Sequence, residues 1–429
     1  MLPIIMVVLD GASDRPGARM TPLEAANTPH LDALVRRGSL GAVYTVGRGI
    51  APESDAGVFS LLGYDPLQTR LSRGVVEAIG AGVRFPDGDL ALRAGFATVE
   101  GEQLVDRRAG RNLSTEEAVE LGAAVNKHLH LKEDVEFEFR PTVGHRAVVV
   151  FRSRGSRLSP EISNFDPGYV RDGIISIAQP GKGPYDIPHC EPMDRSEAAI
   201  RTAALVNEFG FKTRQILDRH PVNEKRRHLN WLPANFVLMR DAGDTKPRVQ
   251  AFSEKWGLRP LLVADMPAEL GIGRVLGMAV EELPPGSSSE DYRKRADLVV
   301  RMLGEYDFLY VHLKGPDEPG HDGLYQAKRE RIEEIDASFF SVLEEAKVVD
   351  RAILCVTCDH STPWAEKGHS DDPVPISVSG PGVNPDGPKR FTEIQARKGN
   401  LGLMERGTLL LERLVYLAAQ LGQNSHKPI

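Results

Sequence analysis

The chain has 429 residues, 41% hydrophobic and 26% charged, the balance of an ordinary globular protein with two or three domains and ample sequence for a core. A net charge of −7 offers no electrostatic footprint for nucleic acid or an anionic membrane. No apolar run reaches transmembrane length, no basic segment precedes the first apolar run, and three cysteines cannot build a disulfide framework. A cytoplasmic protein is expected.

In chain order, Ile4-Ile5-Met6-Val7-Val8-Leu9 reads as a buried strand that ends on Asp10. Thr28 to Val35 reads as a helix with Pro29 at its first position, and Val43 to Val46 as a strand. A further helix is expected from Ser54, where Val58, Leu61 and Leu62 recur at helical spacing until Gly63. From about Ser72 the texture changes. Leu90–Val99, Val135–Phe139 and Ala147–Phe151 read as strands of a more antiparallel sheet, with a helix over Thr115–His128 between two of them. The stretch from Ser153 to Pro192 is rich in Gly, Pro and Ser and reads as a long connector or lid. Helical periodicity resumes at Ser196 to Phe209, and alternating strand and helix texture follows. The expected fold is therefore an α/β core with a mostly parallel central sheet flanked by helices, residues 1–72 and 192–429. A smaller α+β domain, residues 73–191, interrupts it.

Two later apolar runs also lead into residues able to hold a metal. Phe308-Leu309-Tyr310-Val311 precedes Asp317 and His321, and Ile353 to Thr357 precedes Asp359-His360. Ligands of open α/β sheets gather at the carboxyl ends of the strands, so these ends can meet in one place. Asp317 and His321 stand four apart in a Gly- and Pro-rich loop, and His369 lies nine residues beyond His360. With Asp10 this makes six candidate ligands, enough for two divalent ions held by carboxylate and imidazole. Ser54 suits an N-cap, and equally a nucleophile at a helix N-terminus where an incoming phosphate is favoured. His312, inside a strand run, reads as a core histidine. Cys355 and Cys358 read as core packing, since three residues apart on a strand they face opposite sides.

These residues resemble the archaeal-type cofactor-independent phosphoglycerate mutases of the alkaline phosphatase superfamily. The resemblance is carried by Leu9-Asp10-Gly11 with Asp14-Arg15-Pro16, Thr21 to Pro29, Ser54-Asp55 through Pro66, Asp106-Arg107-Arg108-Ala109-Gly110-Arg111, Lys314 to Gly323, Asp359 to Pro363 and Gly368-His369-Ser370. It implies an alkaline-phosphatase-like core. It also implies metal ligation by Asp10, Ser54, Asp317, His321, Asp359, His360 and His369, with Ser54 as nucleophile. Two departures stand out: Pro316 and Pro319 stiffen the metal loop, and Asp241 replaces a glycine in Arg240-Asp241-Ala242-Gly243.

The implied reaction interconverts 3-phosphoglycerate and 2-phosphoglycerate through a phosphoserine, with two divalent ions and no 2,3-bisphosphoglycerate. Mn²⁺ is the first choice of ion; Mg²⁺, Zn²⁺ and Co²⁺ are the others. The partner is then a small phosphorylated substrate, and the inserted domain its binding lid. Arg107, Arg108, Arg111 and Lys314 are the candidate cations for the substrate carboxylate and phosphate. The rival readings are a metal-dependent phosphatase, a mutase of another phosphorylated small molecule, and a catalytically silent binding protein of the same fold.

Overall fold

The computed structural model describes all residues except 18, 70, 133, 173–174, 179–183 and 425–429. Residue contacts divide the chain into two compact units: Met1–Thr69, Val249–Asp265 and Ile272–Ile429 form the first, Arg70–Arg248 and Met266–Gly271 the second. The second unit starts at Arg70 and runs on to Arg248, whereas residues 73–191 were the expected insert. Two elements carry it there. The Glu197–Leu217 helix sets Phe209 edge-on against Phe137 and Phe151, and the Phe236–Gly243 strand pairs antiparallel with Leu90–Glu100. Periodicity shows that a strand is present but not which sheet it joins.

The first unit is built on an eight-stranded sheet in the order Ala279–Glu282, Pro260–Ala264, Phe308–Leu313, Ile4–Leu9, Ile353–Thr357, Val374–Ser379, Gly38–Val43, Gly402–Met404. Ile4–Leu9 is buried along its whole length and pairs in parallel with Phe308–Leu313 on one side and Ile353–Thr357 on the other. A strand covered on both faces needs the unbroken aliphatic run seen here, because no position faces water. The mixed α/β core with a mostly parallel sheet is thus the expected one. Val374–Ser379 runs antiparallel to both of its neighbours. The second strand begins and ends earlier than expected, at Gly38–Val43 and not at 43–46. Its Gly-Ser-Leu-Gly start lacks the aliphatic density of a buried strand, yet all six residues are buried.

The second unit carries an antiparallel sheet in the order Val135–Pro141, Arg146–Ser153, Leu90–Glu100, Gln103–Asp106, Tyr185–Asp186. The helix over Thr115–His128 forms as expected, opened by a capping box between Ser114 and Glu117. Within the expected connector, Tyr169–Asp172 and Ile175–Ala178 pair as a small hairpin.

Candidate metal centre

Three adjacent parallel strands deliver their carboxyl ends to one edge of the sheet. Asp10 follows Ile4–Leu9, Asp317 and His321 follow Phe308–Leu313, and Asp359-His360 follow Ile353–Thr357. His369 comes to the same edge for the opposite reason. It precedes Val374–Ser379, and an antiparallel strand starts where its neighbours end. Asp317 opens a short helix, Asp317–Asp322, so that His321 lies one turn on and on the same face. Neither proline of this segment disturbs it: Pro316 occupies the cap, and Pro319 falls in the first turn, where backbone N–H groups have no helical partner.

Two glycines let the pieces close up. Gly11 has φ +57°, and a Cβ there would stand 2.6 Å from an Asp317 carboxylate oxygen. A Cβ on Gly57 would meet the Asp359 carbonyl at 2.4 Å, so glycine lets the Ser54–Leu61 helix lie against the metal loop. Ser54 is the first residue of that helix. Glu53 holds the cap position, and its side chain makes no capping bond. The Ser54 hydroxyl instead lies 3.0 Å from His360 Nε2.

The ligand atoms of Asp10, Asp359 and His360 lie within 4.8 Å of one another, as do those of Asp317, His360 and His369. His321 Nε2 is 3.1 Å from His369 Nε2 and 3.5 Å from Asp317 Oδ2. All seven expected ligands therefore gather in the first unit.

The hydrogen bonds behind them fix which atoms face inward. His369 Nδ1 meets the Pro52 carbonyl at 2.8 Å and His321 Nδ1 meets the Lys367 carbonyl at 3.2 Å. A carbonyl only accepts, so both imidazoles carry their proton on Nδ1. Thr362 Oγ1 donates to Asp317 Oδ1 at 2.7 Å and lies 3.0 Å from His360 Nδ1. A hydroxyl has one hydrogen; with it given to Asp317, His360 also donates from Nδ1. Three Nε2 atoms thus face the centre. Opposite them, Asp10 Oδ1 and Asp359 Oδ2 are buried without a hydrogen-bond partner. Buried carboxylate oxygens left in that state call for a cation. The donor set fits two divalent ions.

Electrostatics agree. Burial opposes the charge on Asp10, but Lys314, His312 and His360 hold its carboxyl well below the usual range. Burial and the neighbouring Asp10 raise the Asp317 carboxyl; His369, His360 and His321 outweigh them and leave it lowered. Burial lowers His369, yet Asp317 and Glu53 bring it up to about 9. Bound metal would take the place of that proton. Lys314 Nζ stands 3.2 Å from Asp10 Oδ2, which puts this candidate substrate cation at the centre itself.

His312 corrects an expectation. It is buried in its strand, but the ring is part of the site: Nδ1 bonds the Tyr310 hydroxyl at 2.9 Å, and Nε2 lies 3.8 Å from Asp10 Oδ1 and 3.9 Å from Asp359 Oδ2. Its alternation with Tyr310 and Lys314 along the strand was the available signal. Thr362 carried no such signal. Cys355 and Cys358 are buried free thiols pushed up by that burial, as core residues are.

Arg107, Arg108 and Arg111 belong to the second unit. Arg107 forks onto Asp166 with two 2.7 Å bonds, and Arg240 reaches the same carboxylate at 3.0 Å. Both lie over the Tyr169 ring, Arg240 at 3.9 Å and Arg107 at 4.9 Å. Asp241 adopts φ +60°, a conformation glycine would take freely, and sets its carboxylate 3.2 Å from Arg240 Nε. Arg108 and Arg111 sit on a loop with three successive left-handed residues, Ala109 at φ 47°, Gly110 at 73° and Arg111 at 56°. Burial lowers Arg108, and so do the like charges of Arg111, Arg107 and Arg146. Burial and the cations Arg146, Arg108, Arg93 and Arg111 push His145 down to about 2. So much positive charge held together favours an anion.

The model of a family described as 2,3-bisphosphoglycerate-independent phosphoglycerate mutase matches residues 35–223. The protein of that name from Aeropyrum pernix is 41% identical over 427 residues, covering 97% of this chain and all of the relative. Among solved structures, a cofactor-independent phosphoglycerate mutase from Thermoplasma acidophilum aligns at 33% identity and TM-score 0.61, over 97% of this chain and 100% of that one. The PH0037 protein of Pyrococcus horikoshii aligns at 29% identity and TM-score 0.76, over 98% of each chain. Identity of this extent, spread over nearly the whole length, shows that the chain belongs to the 2,3-bisphosphoglycerate-independent phosphoglycerate mutase family.

Proposed function

We propose that the chain interconverts 3-phosphoglycerate and 2-phosphoglycerate through a phosphoserine on Ser54, without 2,3-bisphosphoglycerate. The observation that carries this is the Ser54 hydroxyl, freed from capping and set 3.0 Å from His360 Nε2 at a helix N-terminus. Asp10, Ser54, Asp317, His321, Asp359, His360 and His369 would hold two divalent ions, with His360 common to the Asp10–Asp359 and Asp317–His369 clusters. When bound, divalent ions, with Mn²⁺ first and Mg²⁺, Zn²⁺ or Co²⁺ as alternatives, lower the serine pKa and neutralise phosphoryl oxygens.

Ser54 Oγ forms the new bond to phosphorus as the bond to the C3 oxygen of the substrate breaks, and the serine proton ends on that oxygen. Glycerate then turns, and its C2 oxygen takes the phosphoryl group while Ser54 regains a proton. The N-terminal turn of Ser54–Leu61 presents backbone N–H groups and the positive end of the helix to the phosphoryl oxygens. Lys314, beside Asp10, supplies a cation at the same place. The second unit serves as the substrate-binding lid, with Arg108 and Arg111 as the carboxylate-holding cations. Arg107, forked on Asp166, holds its neighbours in place. No helix among the described residues is long and apolar enough to cross a membrane. Buried free thiols at all three cysteines suit the reducing cytoplasm.

The test supplies Mn²⁺-loaded protein with 3-phosphoglycerate and follows 2-phosphoglycerate and free phosphate together. Mutase product without added bisphosphate is expected. Free phosphate as the main product would support the phosphatase reading, and activity that survives exhaustive chelation would exclude both.

A further inference from the structure

Behind the metal centre lies a charged side chain that the proposed chemistry does not use. Lys328, in the Tyr325–Ile335 helix, is fully buried, and its ammonium meets three oxygens: the Ser13 carbonyl at 3.0 Å, Asp14 Oδ2 at 3.2 Å and the Thr362 carbonyl at 2.7 Å. An ammonium has three hydrogens, and each has an acceptor. The acceptors come from two segments far apart in sequence. Ser13 and Asp14 continue the loop that carries Asp10, and Thr362 continues the loop that carries Asp359 and His360. The two segments also meet directly, through the Thr362 N–H to the Ser13 carbonyl at 3.0 Å and the Trp364 N–H to Asp14 Oδ2 at 2.9 Å.

We infer that Lys328 is the positioning residue of the metal centre: by holding the Asp10–Asp14 and Asp359–Trp364 segments together it places Thr362, whose hydroxyl orients both Asp317 and His360. The inference rests on the metal reading above. Its geometry is direct. The carbonyl and the hydroxyl of Thr362 belong to one residue, and Lys328 grips the carbonyl. The hydroxyl then gives its hydrogen to Asp317 and leaves His360 to donate from Nδ1, which turns His360 Nε2 inward. Partners of this kind behind metal ligands set ring orientation and ligand basicity, and their loss lowers metal affinity by about 10–100-fold. Arg15, one residue past Asp14, ties that loop to Asp372 further along the chain, but its side chain is 45% exposed and water screens it. Lys328 works where water is excluded.

The experiment titrates the metal-stripped full chain with Mn²⁺ by calorimetry and records the visible spectrum with Co²⁺. Lys328→Met leaves Asp14 charged and buried, so Lys328→Met/Asp14→Asn, which removes both charges, is measured against Asp14→Asn to keep the test decisive if the single variant fails to fold. Removing the lysine is expected to weaken Mn²⁺ binding by about 10–100-fold and to change the Co²⁺ bands, with circular dichroism unchanged. Mn²⁺ affinity within twofold of the matched control in a folded variant would overturn the inference, even if its melting temperature falls. Failure of the wild-type chain itself to bind Mn²⁺ would overturn the metal reading, and the inference with it.

Discussion

The metal centre and the arginine cluster solve opposite problems by different means. In the first unit, negative charge is concentrated at the ends of three adjacent parallel strands, and imidazoles are locked by carbonyls and a hydroxyl so that their lone pairs face it. In the second unit, positive charge is concentrated on a loop and an antiparallel sheet. Partial neutralisation by Asp166 and stacking on Tyr169 hold it together. One site suits cations by fixing the direction of its donor atoms; the other suits an anion by crowding like charges. The first depends on regular structure and the second on irregular backbone, including the left-handed run from Ala109 to Arg111.

The sharpest way to break this comparison is to remove the nucleophile. Ser54→Ala should lower turnover by ~10⁴-fold or more while leaving the melting temperature nearly unchanged, since the side chain makes no cap. Near-normal activity with a lowered melting temperature would return Ser54 to a structural role. Next in size is the effect on the opposite site. Arg108→Ala combined with Arg111→Ala should raise KM by roughly 10–100-fold and shift product from 2-phosphoglycerate toward free phosphate, the outcome expected if these forks hold glycerate and not the phosphoserine. If KM and the product ratio both stay put, the loop is a solvated basic surface.

A smaller effect concerns the scaffold behind the first site. Glu393, buried and bonded to the Asp14 N–H and the Thr21 hydroxyl, is raised from 4.5 to about 7, mainly by burial. The folded chain therefore holds this proton more tightly than the unfolded chain does. The stability it contributes is complete below about pH 4.5 and is lost as pH rises through 7. Urea unfolding in chelator should show the wild type losing on the order of 2 kcal/mol more than Glu393→Gln between pH 5 and pH 8. Parallel pH profiles for the two proteins would refute the assignment.

Much of the candidate site's geometry was legible in the chain. Asp10, Asp317, Asp359 and His360 each follow a largely apolar run, and parallel strands carry their ends to one edge. Once those runs are recognised, the meeting place of the side chains follows from the sheet rule alone. Ser54 was ambiguous because an N-cap and a nucleophile occupy nearly the same helical position; only the Glu53 cap and the 3.0 Å approach to His360 separate them. Local pattern determined the strands that lead into the ligands, the helix over Thr115–His128 and the order of the ligands. Tertiary structure alone decided that the Glu197–Leu217 helix and the Phe236–Gly243 strand belong to the second unit. It also brought His312 to the carboxylates, and Lys328 and Thr362 behind them. The reason is physical: periodicity reports which face of an element is buried, whereas partners hundreds of residues apart are chosen by packing and hydrogen bonding that no local window contains.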